Sequence, residues 1–396
     1  MSATAAWHDA RVNAAAHPFG WPLTRLVRCA GPVVRVPGLG LVVSGAALCH
    51  EVLTRDRDFA KNGPGSFAAT MTRFLGPAAL SNMDGDAHQR LRARVADLLA
   101  PAPAEALLAL AEAPLARLRA ELTAGDAVDL VPRARALSGR VALDMLGVTA
   151  DDGDDSALAL LALGERIAAG LGFRAPSARR ARAMHADCDR LAAMARARWD
   201  APDVAPRSVI GRLRALGLTF EEARGVLSIL LLAGAITTAA ALPRLVALLV
   251  DGQQWEAARA RAQYDLGAVL AEGLRFAAPV PATVRIAARD VSLDGRRVRE
   301  GTRVVVLACN AARDPALFPD PDRFDVTRTH DARARHLWFG AGPHFCIGFA
   351  LAQRQLRRTL EALLAVPGTP RIVHRRAARG ALIPAYASLV LRVEPA

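Results

Sequence analysis

The sequence predicts a mostly α-helical protein with a minor β region, and three observations support that class. Residues 86–200 are rich in Ala, Leu, Arg and Glu, which are strong helix formers. The uncharged apolar stretch 226–242 suits a helix that is buried on all sides. Short β-branched runs at 31–43 and 290–308 are typical of strands between turns.

Composition predicts a globular chain rather than a disordered one. The 396 residues are 52% hydrophobic, so a large core is possible, and we take residues 1–396 as a single domain. The net charge is +13, and Lys61 is the only lysine. The arginines are scattered, without the basic patch typical of nucleic-acid binding. A GC-rich genome explains this charge more simply, so we expect no nucleic-acid partner.

Cysteine usage and the N-terminus bear on location. The five cysteines are odd in number and contain no CxxC motif, which favours a reducing, cytoplasmic compartment over a disulfide framework or zinc site. The N-terminus lacks the apolar segment of a signal peptide or anchor. The stretch 226–242 has the minimum length of a membrane span, but Gly234, Thr237 and Thr238 lie within it. We therefore expect a buried helix and no membrane partner.

The first half of the chain contains clear signals for turns, helix breaks and a helix start. Pro37-Gly38 predicts a hairpin within residues 31–43. The helical region breaks near 101–103, 151–155 and 175–176. Thr219 and Glu222 have the spacing of a capping box, which begins the apolar helix.

The second half alternates strands and helix. Residues 290–308 read as strands with a turn at Asp294-Gly295. An amphipathic helix follows residue 347 and ends at Pro367-Gly368. Residues 387–393 predict a last strand.

The segment from His336 to Gly348 carries the strongest chemical signal. Three glycines within nine residues surround Cys346 and let the backbone approach a flat ligand closely. A helix that begins just after Cys346 directs amides toward the sulfur and favours a thiolate, which can ligate iron. The alternative is a glycine-rich loop with an ordinary buried cysteine.

Three weaker patterns accompany it. Glu272 and Arg275 are three residues apart on one helix face, a spacing that is often only a surface ion pair. His88 and Arg92 are two cations four residues apart. Thr237, in the apolar helix, either bonds the preceding turn or passes protons in an active site.

In this fixed order the four patterns resemble the cytochrome P450 family in its soluble bacterial form. The resemblance runs from the hairpin near residue 33 to the last strand, and its motifs are dense between 88 and 348. It implies a triangular, mostly α-helical fold that buries haem b (iron protoporphyrin IX) between the helix around Thr237 and the loop at Cys346.

The resemblance also implies roles for individual residues. Cys346 is the axial iron ligand, Phe339 packs beside it, and Gly348 contacts the haem. Glu272, Arg275 and Arg328 form a structural group behind the haem. Thr237 and Thr238 are catalytic. Five side chains bind the haem propionates: His88, Arg92, Arg285, His336 and His344.

A predicted pocket takes the substrate. Its expected lining is Phe67, Met71, Phe74, Leu232, Ala233, Ile236, Val280, Thr283 and Ile383. All but Thr283 are apolar, which predicts an apolar small molecule such as a terpenoid, polyketide or steroid. Core packing explains Phe67, Met71 and Phe74 equally well.

The implied activity is a monooxygenase of secondary metabolism that uses O2 and a ferredoxin-type electron donor, and we expect a monomer. Arg90, Arg94, Arg354, Arg357 and Arg358 would attract that donor. Two departures stand out. Ala312 replaces an asparagine that the family usually has, and Ile236 replaces the acid that precedes the helix threonine. Ile cannot carry a proton, so a peroxide-using or radical-coupling haem-thiolate enzyme stays open, as does a haem-thiolate sensor.

Overall fold

A computed structural model describes residues 2–63, 66–148, 154–170, 176–330 and 336–395, except the side chains of residues 2, 3 and 67. The helices in the first half of the chain are α1 (Ser2–Ala16), α2 (Gly20–Ala30), α3 (Ala46–Thr54), α4 (Phe67–Leu75), α5 (Gly85–Val95), α6 (Pro101–Leu108), α7 (Glu112–Thr123), α8 (Leu130–Met145), α9 (Asp155–Ala169) and α10 (Ala178–Asp200). Those in the second half are α11 (Val209–Ala215), α12 (Phe220–Ile229), α13 (Ile236–Asp251), α14 (Trp255–Ala277), α15 (Ala308–Ala311) and α16 (Phe349–Leu364).

The strands are β1 (Val33–Val36), β2 (Gly40–Val43), β3 (Phe59–Ala60), β4 (Val128–Asp129), β5 (Thr283–Ala287), β6 (Val291–Leu293), β7 (Arg296–Val298), β8 (Arg303–Val306), β9 (Thr369–Ala377) and β10 (Tyr386–Glu394). They form three small sheets with the orders β1-β2-β8-β5-β3, β4-β10-β9 and β6-β7.

The sheets contain both predicted turns. Strands β1 and β2 pair antiparallel across Pro37-Gly38, with Val36 opposite Gly40, and β6 and β7 pair across Asp294-Gly295. Strands β5 and β9 were not predicted from the sequence. Strand β5 places Thr283 and Arg285 on one face of the first sheet, because alternate strand residues point the same way.

The apolar stretch forms a long helix through the protein, as predicted. Thr219 and Glu222 make the capping box at the start of α12. Residues Leu230–Ala235 form a π-helical turn that joins α12 to α13. The whole helix, Phe220–Asp251, is long and apolar enough to cross a membrane, but 78% of its most apolar window is buried inside the protein. It has the properties of a core helix.

Two large apolar clusters lie on this long helix. One includes Leu232, Ile236 and Leu351, and the other includes Leu245 and Leu360. Helix α16 therefore contributes to both clusters. Leu351, in the first turn of α16, is its member in the first cluster.

Candidate active site

The Cys346 loop has the glycine-dependent geometry that its composition predicts. Gly342 has φ +64°, and a Cβ there would lie 2.7 Å from the carbonyl oxygen of Leu53, so a larger residue would collide with the backbone. The amide of Cys346 donates to the carbonyl oxygen of Phe339 at 3.0 Å. This bond closes the loop, and α16 begins three residues after the cysteine.

The electrostatics of Cys346 only partly agree with the sequence argument. The Gly348 amide and the charge of Arg92 lower the pKa of the thiol as expected, but burial raises it by more, so the net pKa lies above the ordinary value. The helix start alone does not produce a thiolate at neutral pH. A cation bound to the sulfur would supply the missing stabilisation, since metal ions deprotonate thiols that coordinate them.

Four of the five predicted propionate ligands are brought close to the loop. The rings of His88 and His344 stack with centroids 4.2 Å apart. Arg92 Nη2 donates to the carbonyl oxygen of Phe345 at 2.6 Å, one residue before the cysteine. Arg285 is 2% exposed on β5.

His336, the fifth, packs edge-on against Phe349 at 4.8 Å and against Phe339 at 6.3 Å between ring centroids. Its described contacts are thus with aromatic side chains of the Cys346 loop and α16.

His88, Arg92, Arg285 and His344 form a basic cluster. This cluster holds more positive than negative charge. Asp84 lies 3.5 Å from His344 Nε2, and its carboxylate also accepts two backbone amides. Burial, with repulsion from His344 and Arg92, lowers the pKa of His88 to about 4. Burial lowers the pKa of Arg285 to about 10. Buried cations are normally paired, so the cluster is suited to bind further negative charge.

A haem fits this donor set. Its two propionate carboxylates would neutralise the cluster, with Arg92 and Arg285 as charged donors. His88 Nε2 is buried and has no hydrogen-bond partner among the described residues, so it offers a further contact. Cys346 would ligate the iron. A Cβ at Gly348 would lie 3.8 Å from Cys346 Sγ, an ordinary van der Waals contact, so position 348 lies directly beside the sulfur.

The long helix is widened where the sequence reads Ala233-Gly234. Leu230–Ala235 is π-helical, a local distortion that is frequent at functional sites. Ala233 is exposed although it lies midway along a buried helix. A Cβ on Gly234 would meet no atom within 4 Å. Both residues therefore face open space.

The two threonines bond the preceding turn. Thr237 Oγ1 donates to the carbonyl oxygen of Ala233 at 2.6 Å, and Thr238 Oγ1 donates to that of Gly234 at 2.9 Å. Each hydroxyl oxygen can still accept a hydrogen bond. Ile236 is buried, and its Cδ1 would be 3.5 Å from a Cβ on Gly164 of α9. It packs against that helix.

The predicted substrate residues divide into core and lining. Met71, Phe74 and Leu232 belong to one apolar cluster, and the rings of Phe74 and His185 lie 4.5 Å apart at a tilt of 46°. This agrees with core packing, and their contact with a substrate stays a prediction. Ile383 packs on the edge of that cluster.

Val280, Thr283 and Phe67 are also predicted to contact the substrate. Val280 is 40% exposed. Thr283 Oγ1 accepts a hydrogen bond from Lys61 Nζ at 3.0 Å. The side chain of Phe67, the first residue of α4, lies outside the described part of the protein.

Glu272, Arg275 and Arg328 make a buried ion-pair group. Arg275 binds Glu272 through two bonds of 2.7 and 2.8 Å, and both side chains are fully buried. Arg328 Nε lies 3.4 Å from Glu272. The carbonyl oxygen of Ala312 accepts a bond from Arg275, and this backbone contact does not depend on the Ala312 side chain.

Sequence reasoning missed His330, Lys61 and Asp84. His330 Nε2 lies 3.5 Å from Glu272, and burial lowers the pKa of His330 to about 4. Lys61 and Asp84 join the basic cluster. The one available signal was that Lys61 is the only lysine in the chain.

The five arginines expected to attract an electron donor are mostly paired. Arg358 binds Glu105 and Glu112, and Arg357 lies 3.1 Å from Glu361. Arg354 and Arg94 pair at 3.5 and 3.6 Å with Glu105 and Glu222 respectively. Arg90 is exposed on α5. The attractive charge of this surface is therefore smaller than the sequence suggests.

An α-rich fold with a half-buried cysteine just before a helix start, beside a basic cluster that would fit two propionates, has the features of a haem-thiolate protein. The family model described as "Cytochrome P450" matches residues 257–365. Over these residues the chain is similar to the cytochrome P450 family, whose cofactor is haem.

Curated relatives are similar over part of the chain. The cytochrome P450 monooxygenase PikC of Streptomyces venezuelae is 44% identical over 149 residues, which is 37% of this chain and 35% of PikC. Linalool 8-monooxygenase of Pseudomonas putida is 34% identical over 163 residues, 41% of this chain and 39% of that enzyme. The matches thus span about a third of the length of these relatives.

Solved structures match almost the whole chain. CalO2 is 27% identical with a TM-score of 0.79, and 96% of each chain is covered. P450BioI, solved in complex with hexadec-9Z-enoic acid ligated acyl carrier protein, has a TM-score of 0.82 at 21% identity, with 96% of this chain and 99% of that chain covered. The prediction of a mostly α-helical, cytochrome P450-like fold is confirmed.

Proposed function

We propose that this protein is a haem b-dependent monooxygenase that activates O2 and hydroxylates an apolar small molecule, acting in secondary metabolism. The observation that carries the proposal is the bond from Arg92 to the carbonyl oxygen of Phe345. This bond joins the basic cluster, which is suited to bind propionates, to the residue before Cys346. The sulfur of Cys346 is suited to bind iron. The monooxygenase names of similar enzymes support the same reading.

The cofactor would supply the redox chemistry, because thiolate-ligated haem favours O–O cleavage and oxidises C–H bonds. The protein binds and orients it. Cys346 would ligate the iron, the basic cluster would hold the carboxylates, and Gly348 would lie beside the sulfur.

On the opposite side, Thr237 and Thr238 hold hydroxyls at the widened turn. Their protons already go to backbone carbonyls, so each oxygen is free to accept a bond and to order a water beside the reacting oxygen. The family's usual acid position is Ile236, which packs on α9. We infer that proton delivery depends on a water or a substrate hydroxyl held by the threonines.

The pocket next to that turn takes the substrate. Ala233, Ile236 and Ile383 are apolar, which favours a terpenoid, polyketide or steroid over a sugar. Thr283 gives one end a polar group.

We further propose a cytoplasmic, monomeric, single-domain protein that receives electrons from a ferredoxin. The free cysteines suit a reducing compartment, and the buried long helix argues against a membrane span. Arg90, on the helix of His88 and Arg92, is the exposed arginine best placed to contact a donor near the haem.

Oxygen labelling tests the function. The holoenzyme would be screened for compounds that shift the haem spin state, then supplied with a surrogate ferredoxin, its reductase and 18O2. We expect a product with one 18O atom. A product that forms with hydrogen peroxide but not with O2 and the electron donor would instead support a peroxide-using enzyme. A coupled product without 18O would support a radical-coupling enzyme. Ile236 favours both of these alternatives. Spectral shifts without any product would support a sensor.

A further inference from the structure

Lys61 is half-buried at the edge of the first sheet. It directly follows β3, which pairs with β5 through Ala60 and Ile286. The Lys61 amide donates to Asp84 Oδ1 at 2.8 Å, which fixes the backbone. The side chain then reaches β5, where Nζ donates to Thr283 Oγ1 at 3.0 Å.

The surroundings of this ammonium group hold too little negative charge. Arg285 also donates to Thr283 Oγ1, at 3.3 Å, so two cationic side chains converge on one neutral hydroxyl. The nearby carboxylate, Asp84, already accepts the amides of Lys61 and Asn62 and lies beside His344. Burial and repulsion from Arg285 lower the pKa of Lys61 to about 7, against a smaller opposite effect of Asp84.

A half-buried ammonium whose side-chain partner among the described residues is a hydroxyl is costly unless an anion joins it. A carboxylate is the chemical match, because its two oxygens can accept from Lys61 and Arg285 together. Thr283 marks the point at which both donors meet.

We propose that Lys61, Thr283 and Arg285 form a carboxylate-binding site beside the basic cluster. The inference rests on the proposed function, since the carboxylate belongs either to a haem propionate or to an acidic group on the substrate. In the second case the substrate is apolar with one carboxylate end.

Two variants and a control separate these sources. Lys61→Met removes the charge at similar length, and Lys61→Arg keeps it. Arg289→Met is the matched control, since Arg289 follows β5 but is exposed and pairs with Asp58. All are compared as ferric holoenzymes.

The first arm measures haem transfer to excess apomyoglobin. If a propionate is the ligand, Lys61→Met speeds haem loss roughly 10- to 100-fold, the effect of removing one charge-assisted hydrogen bond, whereas Lys61→Arg and Arg289→Met stay near wild type. The second arm titrates dodecanoic acid and its methyl ester by the haem spin shift. If a substrate carboxylate is the ligand, wild type prefers the acid, and Lys61→Met loses that preference.

A pH series adds a readout that a purely structural lysine would not move. The preference for the acid should fall from pH 7 to pH 9, because Lys61 loses its proton in that range, and Lys61→Met should show no such fall. If Lys61→Met changes neither haem loss nor acid preference, the proposal is overturned. Failure of the proposed function itself would be seen separately, as a wild-type carbonyl spectrum without thiolate character.

Discussion

Arg244 of α13 and Asp9 of α1 form a buried ion pair, with Arg244 Nη2 2.6 Å from Asp9 Oδ1. Both side chains are almost fully buried, and Arg244 Nη1 also donates to the carbonyl oxygen of Pro384. The pair therefore links the N-terminal helix to the turn that carries Ile383. Burial of this arginine without its carboxylate would leave an uncompensated charge.

We accordingly expect Asp9→Ala to lower the free energy of unfolding by about 3–5 kcal/mol, the usual result of breaking a buried pair. The control is Asp290→Ala, because Asp290 pairs with Arg297 at the exposed surface, where loss of an ion pair has little effect on stability. Denaturant unfolding of the holoenzyme measures both. Equal losses for the two variants would show that the buried pair has no special weight.

A second prediction concerns His330. Its folded pKa of about 4 lies below the ordinary value of 6.5, so the unfolded chain binds more protons between these limits. Stability should therefore rise with pH from about 4 to 6.5. His330→Phe, which places an apolar ring near Phe318 and Trp338, should flatten this rise. Unfolding midpoints at half-unit pH steps would measure the slope, and an unchanged slope would exclude His330 as its source.

The arginine surface gives a third prediction. Reduction by a ferredoxin should slow as salt rises, because exposed charges are screened beyond about 8 Å at physiological salt. Arg90→Ala should slow reduction at low salt more than Arg190→Ala, whose arginine is 70% exposed on α10. Stopped-flow reduction rates would decide. A rate independent of salt would argue against charge-steered docking.

Ile236 gives a fourth prediction. Without an acid beside Thr237, the wild type should release more hydrogen peroxide per electron than Ile236→Glu when both oxidise the same non-native substrate. A positioned proton donor contributes about 10²–10⁴-fold to proton transfer. Ile236→Gln is the control for polarity without acidity and should leak like wild type. If the wild type leaks no more than Ile236→Glu, the missing acid is irrelevant to proton delivery.

The sequence was informative where signals are local. The Pro37-Gly38 hairpin, the Thr219 capping box and the Cys346 loop each depend on residues close together in the chain. The structure adds partners that no local pattern encodes: Lys61 meets Thr283 across 222 residues, and Asp9 meets Arg244 across 235. The helix start predicts a lowered pKa for Cys346, but in the structure its pKa is raised. Burial explains this difference, because its effect is larger than that of the helix start.

The carbonyl spectrum of the reduced protein tests the central claim, that Cys346 ligates haem iron, most directly. Wild type should give the red-shifted Soret band of a thiolate–carbonyl complex. Cys346→Ser keeps the size but loses the soft thiolate, so it should lose that band while the basic cluster still binds haem. Cys29→Ser, at an exposed cysteine, should behave like wild type. A red-shifted band that persists in Cys346→Ser would contradict the assignment.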